Sequence, residues 1–463
     1  MRIASAAKTL ARSGPDADPV SMRQVYPSSR LRPLWPFLAA LGLVCLLAGG
    51  AAADGGAAGA WTLDDLVTVL KQGNPQLQQA HQAYLAARLS IPQAEALPSP
   101  QFSLLEQANT GGPFDFNRNS GFYAYYNFTQ PLLWPGKRSL AGEIAAAQAE
   151  VVGRQYDSLE LQLVSQLKLA WYQLMALQDQ LHFMDQDLQR LEQIKAIAKV
   201  RYANNAAAYV EFLNAQVAVG SLQNDRFVLN KQIQDASEQL NTLLGRPSQT
   251  PLQVQDQDDS PRLPTQPLPQ LIELAQKTNP AIAGGEFQVE AADKGVALAH
   301  KSFWPDFQLS AGSYADPAVV QLQTMRMYSL GISFNLPSWG FRKEQAGLDQ
   351  ARAQLEAVQA GQQANLQQVD LGVANAYHGL ETALRQLGFT REQLLPQAQM
   401  AYRLALSGYA SNGPINGGTG FSDLLTAQSG LRNTELSLIQ AQNAAVQAYV
   451  SLAAAIGKDP DRP

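Results

Sequence analysis

Residues 63–77 read LDDLVTVLKQGNPQL, and residues 268–282 read LPQLIELAQKTNPAI. The Asn-Pro pairs, Asn74-Pro75 and Asn279-Pro280, stand 205 positions apart. Leu63 and Leu66 return at the same offset as Leu268 and Leu271, and Pro100, Phe102 and Leu104 return as Pro305, Phe307 and Leu309. Matches at one spacing, on both sides of a helical stretch, make the folding unit half the chain. Such a repeat has to be found before any single element is assigned.

Each half carries the same order of elements. A helix comes first, with Thr62 and Asp65 spaced as a capping box in the first copy. The Asn-Pro pair inside it reads as a kink or a break. Two alternating stretches with a polar loop between them follow. Then come a very long helical run, a polar turn and a shorter helix that ends at Gly245 or Gly457. The copies drift: Phe128 matches Phe334 at 206 and Gly245 matches Gly457 at 212, mostly through the second polar turn, Gly408 to Gly420. The expected division is a signal peptide at 1–53, a first repeat at 54–250 with helices and two strands, a linker at 251–267, a second repeat at 268–458 and a tail at 459–463.

No proline lies between Pro135 and Pro247, and within that span Leu167, Trp171, Leu174, Leu177, Leu181, Met184, Leu188 and Leu191 step by three or four. That is a narrow apolar stripe near coiled-coil spacing. A helix from Ser139 to Tyr202 would be about 95 Å long at 1.5 Å per residue, too long to bury itself in an ordinary domain. It needs other long helices beside it. The helices Leu63–Leu97 and Tyr209–Gly245, laid end to end, would span about 100 Å and cover it. The second rod is expected from about Arg342 to Ser407, with a kink at Pro396.

Four segments alternate with period two. Phe102 and Leu104 oppose Ser103. Phe122, Ala124, Tyr126 and Phe128 oppose Tyr123, Tyr125 and Asn127. Phe307, Leu309 and Ala311 oppose Gln308, Ser310 and Gly312, while Tyr328, Leu330, Ile332 and Phe334 oppose Ser329, Gly331, Ser333 and Asn335. A hairpin sheet packed on a core alternates in the same way. The aromatic content and the neighbouring rods favour lipid instead, where a barrel wears aromatic girdles outside a polar lumen. Lipid cannot satisfy an open sheet edge, and four strands cannot close. The membrane reading therefore requires copies of the chain.

The N-terminus agrees with export. Arg30 and Arg32 precede an apolar run from Leu34 to Leu47, and Ala51-Ala52-Ala53 offers a cleavage site before Asp54. Met22 is an alternative start. The only cysteine, Cys45, lies in the apolar run; cleavage after Ala53 would leave no thiol, and lipidation at Cys45 is disfavoured by Val44 before it. A net charge of −5 argues against nucleic acid as a partner. His81, His182, His300 and His378 lack partners at metal-ligand spacing, and Met325 and Met327 make only a sparse pair. No phosphate loop or nucleophile elbow occurs. No enzyme, no cofactor and no metal site is expected.

These residues resemble the TolC-like outer membrane efflux proteins, the outer membrane factors, over about Trp61 to Lys458. The resemblance is carried by the duplicated Leu-rich helix with Asn-Pro and by Gln130-Pro131-Leu132-Leu133-Trp134-Pro135-Gly136-Lys137-Arg138. The turns at Arg201-Tyr202 and Gly408-Tyr409 and the Leu-Leu-Gly ending at Gly245 complete it. The Trp-Pro-Gly-Lys-Arg block is most similar to the heavy-metal, RND-associated branch. The resemblance implies a mainly α protein with a small β part, four transmembrane strands per protomer, a twelve-stranded barrel in a homotrimer and a long periplasmic α-helical barrel. It implies a passive exit duct in the outer membrane of a Gram-negative bacterium, reaching into the periplasm and served by a periplasmic adaptor and an inner-membrane transporter. A type I protein secretion duct is the alternative within the class, and a soluble periplasmic coiled-coil scaffold the alternative outside it.

The resemblance also implies residue roles. The turns between long and short helices would form the periplasmic tip and gate. Asp423 matches a gate aspartate, with Glu211 at the equivalent place; the following acidic position of the family is Thr426 here, so a two-tier acidic ring is not expected. A competing reading makes Asp423 a first-turn residue favoured by the helix dipole. Arg201, Tyr202, Gly408 and Tyr409 would contact the adaptor or the neighbouring protomer, or merely belong to helix ends capped by Gly and Asn. Trp134, Lys137 and Arg138 would sit at the membrane interface, where Trp and cations suit headgroups, or simply start a helix after a Pro-Gly turn.

Overall fold

The computed structural model describes residues 61–108, 122–254, 262–316, 325–336, 340–411 and 420–458. The expected signal peptide with Cys45, and the Gly413–Thr419 stretch, lie outside the described residues. The first half runs α1 (Leu63–Gly73), α2 (Pro75–Glu95), β1 (Gln101–Ala108), β2 (Phe122–Leu132), α3 (Lys137–Ala203) and α4 (Tyr209–Leu243). The second runs α5 (Leu268–Thr278), α6 (Pro280–Lys301), β3 (Phe307–Asp316), β4 (Met325–Phe334) and α7 (Arg342–Phe389). A π-helical turn (Thr390–Leu394), α8 (Leu395–Ser411) and α9 (Phe421–Ile456) complete it. The protein is mainly helical with one small sheet.

The capping box forms as expected: the Thr62 hydroxyl accepts from Asp65 N, and Thr62 N donates to the Asp65 carboxylate. The Asn-Pro pairs are breaks rather than kinks. Asn74 closes α1 by donating its N–H to Leu70 O and opens α2 by accepting from the N–H groups of Gln76 and Leu77. Its side-chain amide donates to Leu243 O at 2.8 Å. Asn279 repeats the arrangement, accepting from Ala281 N and donating to Ala455 O at 2.9 Å. One asparagine thus satisfies orphan groups of three helix ends.

The glycines that end α4 and α9 belong to the same joint. Gly245 has φ +71°, and a Cβ there would lie 2.4 Å from Gly73 O; Gly457 has φ +92°, and a Cβ there would lie 2.9 Å from Thr278 O. Only glycine meets both demands. The repeat of Asn-Pro and the repeat of the final glycine are therefore one structural motif made twice.

The 67 residues of α3 make a rod about 100 Å long. α2 covers one part of it, α4 another, and α6 and α9 lie against it from the second half. Leu163, Leu167, Trp171, Leu174 and Leu177 are buried with Leu66, Leu70 and Leu240 around the joint. Each such side chain contributes about 1.5–3 kcal/mol through burial. A second cluster, with Ile194, Ala215, Tyr409 and Leu424, fills the far end.

Where a kink is expected, the second rod widens into a π turn just before Pro396, with Leu395 N donating to Thr390 O, five residues back. Proline lacks an N–H and crowds the carbonyl four residues earlier, and one wider turn relieves both. The turn also accounts for part of the repeat drift. Trp171 and Tyr377 stand 206 apart, Tyr202 and Tyr409 stand 207 apart, and a π turn is where a helix absorbs one added residue.

The sheet is antiparallel in the order β1-β2-β3-β4. Its register puts Phe102 opposite Phe128, Phe128 opposite Ala311, and Ala311 opposite Leu330. One face therefore carries Phe102, Leu104, Tyr126, Phe128, Leu330 and Ile332. These are exposed, with Leu330 at 81%. The opposite face carries Ser103, Asn127, Thr129, Ser310, Gly312 and Ser329, with Leu105, Tyr125 and Met327 in one row among them. The apolar face packs on no core, which removes the reading of an ordinary buried hairpin sheet. Met325 and Met327, the sparse pair, lie within β4. No described helix is long and apolar enough to cross a membrane.

Candidate functional site at the rod tip and the strand–helix junction

At the rod tip α3 turns into α4, and α8 leads towards α9. Asn204 closes α3 and Asn205 takes φ +54°, so these asparagines do cap the helix. Gly408 does not; it lies within α8, which runs on to Ser411. Tyr409, only 1% exposed, is the centre of the site. Its hydroxyl donates to Glu211 Oε2 at 2.6 Å. The Arg201 guanidinium lies 4.5 Å from its ring centroid and donates to its carbonyl oxygen. Phe421 packs against the ring, with centroids 5.7 Å apart. Burial, followed by the bond to the Glu211 carboxylate, pushes the Tyr409 phenol well above the ordinary tyrosine range. The hydroxyl remains a donor at any physiological pH.

Three of the six expected tip residues, Arg201, Glu211 and Tyr409, are thus brought together, and they join the two halves of the chain. Tyr202 is not among them: it stays exposed and packs on Tyr209 at 5.1 Å. Asp423 is also apart. It accepts from Gly420 N at 3.0 Å, a bond that caps the start of α9. Glu211 and Asp423 hold the same third position of their helices, yet one carboxylate fastens a partner element and the other caps its own helix.

A second polar cluster lies deeper along the same seam. Asp187, 1% exposed, accepts from Gln428 Nε2 at both oxygens, at 2.7 and 2.8 Å. Arg190 makes a two-pronged pair with Glu435, both bonds at 2.7 Å. Burial raises the Asp187 carboxyl, opposed by the bond from Gln428 and the charges of Arg190 and Arg432. Sequence reading missed this cluster, because Asp187 sits among polar residues that look like solvated surface.

At the strand–helix junction, Trp134 stacks on Trp304 at 4.9 Å and on Phe307 at 5.6 Å. Lys137 pairs with Asp306 at 2.9 Å and donates to Trp304 O at 3.1 Å. Arg138 donates to Glu95 O at 2.8 Å. Both cations are committed to protein partners: Lys137 fastens the start of α3 to the segment leading into β3, and Arg138 fastens it to the end of α2. The aromatic that stays open to its surroundings is Trp304, 51% exposed, which the sequence reading did not single out. Its signal was there: Trp304 directly precedes the repeated Pro305. Among the described residues no group of three or more His, Cys, Asp or Glu could hold a metal ion.

The model of the family described as outer membrane efflux protein matches residues 66–246 and 271–458. The chain belongs to the outer membrane efflux protein family. The family's place, and this chain's, is the outer membrane of Gram-negative bacteria, with the helical part reaching into the periplasm. Its members are efflux channels. The chain is 28% identical over 330 residues to the pyoverdine export outer membrane protein OpmQ of Pseudomonas aeruginosa, a match that spans 70% of this chain and 66% of that one. It is 20% identical to the cobalt-zinc-cadmium resistance protein CzcC of Cupriavidus metallidurans over 87% of this chain and 91% of that one. The fold is that of the outer-membrane channel OprN, with a TM-score of 0.73, 19% identity, and coverage of 86% and 91%.

Proposed function

We propose that this outer-membrane efflux channel works as a homotrimer. Three four-stranded sheets close into a twelve-stranded barrel, and three pairs of rods form the periplasmic tunnel below it. A periplasmic adaptor and an inner-membrane transporter deliver the cargo, and the chain itself supplies a passive path. The observation that carries this reading is the sheet: four strands with an exposed apolar face, joined directly to rods about 100 Å long. An apolar face of that kind belongs in lipid. The tip residues Arg201, Glu211 and Tyr409 hold the two halves of each copy together and keep the resting tunnel narrow.

The named relatives, one for pyoverdine export and one for cobalt-zinc-cadmium resistance, favour small chelates or metal ions as cargo over secreted proteins. Deletion of the gene, scored for growth on divalent metals, siderophores and drugs, tests this reading. Sensitivity to one class that is restored by the wild-type gene supports it. Unchanged tolerance together with loss of a secreted protein would move the chain to type I secretion.

A further inference from the structure

The two outer strands, β1 and β4, pair with no other strand on their far sides among the described residues. Lipid offers no water to satisfy the N–H and C=O groups of an open strand edge, so each edge needs a mate. The homotrimer reading, on which this inference rests, supplies it: β4 of one copy meets β1 of the next. The chain also contains the template for how they meet.

The repeat relates β1 to β3 by 205 positions and β2 to β4 by 206. These offsets carry one observed hairpin into the other. Phe102 opposite Phe128 becomes Phe307 opposite Phe334, and Ser103 opposite Asn127 becomes Gln308 opposite Ser333, as the sheet has them. The same offsets apply to the junction between the hairpins, where Thr129 faces Ser310 and Gln130 faces Leu309. We infer that β4 pairs with β1 of the next copy in the register that sets Asn335 opposite Leu105 and Leu336 opposite Leu104.

Parity supports this register independently. Leu336 belongs to the series of Phe334 and Ile332, and Leu104 to that of Phe102; all five are exposed apolar residues. The pairing joins apolar face to apolar face. A slip of one residue would turn the polar face of every following strand to lipid. Followed round the sheet, the row that starts at Gln101 passes Thr129, Ser310 and Gly331, and the inferred register advances it by eight residues on entering the next copy. An even step is what a closed barrel with one dry face requires.

Cysteine pairs test it. The chain has one cysteine, Cys45, and single-cysteine variants control for it. Directly opposed positions have Cβ atoms about 4.5–5.5 Å apart, close to disulfide range; diagonal positions do not. Asn335→Cys with Leu105→Cys, and separately Leu336→Cys with Leu104→Cys, should give disulfide-linked dimers and trimers on mild oxidation of isolated membranes. Pairs offset by two, Asn335→Cys with Ser103→Cys and Leu336→Cys with Phe102→Cys, should link at least tenfold more slowly. The two registered pairs lie on opposite faces, so a disturbance of one face leaves the other readable. Faster linking of the offset pairs, or no linking in protein whose native mass is that of a trimer, would overturn the register. A monomeric native mass would remove the homotrimer reading with it.

Discussion

The Tyr409 hydroxyl donates to Glu211 Oε2 at 2.6 Å across 198 positions of sequence, tying the end of the second rod to the start of α4. Tyr409→Phe keeps the ring against Arg201 and Phe421 and removes only this bond. A hydrogen bond to a carboxylate contributes about 1.5–3 kcal/mol. The variant should therefore fold, lose stability by about that amount, and show higher single-channel conductance in planar bilayers. Conductance equal to wild type would release this bond from any part in holding the tip closed.

Asp423 serves its own helix, so its replacement should act differently. Asp423→Ala removes the bond to Gly420 N and costs about 1 kcal/mol of local stability. Its conductance should change less than that of Tyr409→Phe. A larger rise, or lost cation block, would restore Asp423 to the gate.

The asparagine joints, with Asn74 buried at 3% exposure, should be among the most sensitive polar positions of the helical part. Asn74→Ala deletes two accepted bonds and one donated bond and should cost about 2–3 kcal/mol. Asn74→Asp keeps the acceptors but sets a buried carboxylate oxygen against Leu243 O, so its loss should be at least as large and should shrink as pH falls and the carboxyl takes up a proton. Thermal unfolding of the purified protein orders the three.

Asp187 offers a pH test with a definite sign. Its folded carboxyl is raised by burial, so the folded state holds this proton more tightly than the unfolded chain. The cost of the ionised form is present above the raised value and is relieved as pH falls through it towards 3.8, the ordinary carboxyl value. Relative to Asp187→Asn, the wild type should gain stability as pH falls over that window. Burial sets the sign, against the bond from Gln428 and the charges of Arg190 and Arg432, which pull the value down. A wild type that loses ground to the variant on acidification would show the opposite shift.

The π turn gives a deletion test. Because the π turn absorbs one added residue, removing Gln393 restores the repeat spacing of 206 and should return this turn to α-helix with Tyr409 still against Glu211. The deletion variant should keep the conductance of the wild type; a rise like that of Tyr409→Phe would show that the register beyond the turn had shifted.

Much of the fold was legible because it is written in spacing. The leucine steps around Trp171, the Thr62–Asp65 box and the alternation from Tyr328 to Phe334 each obey one local rule. The repeat made these assignments mutually supporting. What stayed hidden depends on contacts between distant segments. Nothing near Glu211 names Tyr409 as its partner, and nothing near Lys137 names Asp306. Pro396 announced a disturbance but not its kind, since a kink and a π turn relieve the same clash. The step from 206 to 207 between Trp171 and Tyr202 was the available clue. The equal sequence rank of Glu211 and Asp423 misled for the same reason: position in a helix does not say which neighbour a carboxylate will find.

Native mass spectrometry of protein extracted from outer membranes in mild detergent tests the central claim most directly. The account gives a species of three chains that forms ion-conducting pores when added to a planar bilayer. A water-soluble single chain that leaves bilayers silent would contradict it.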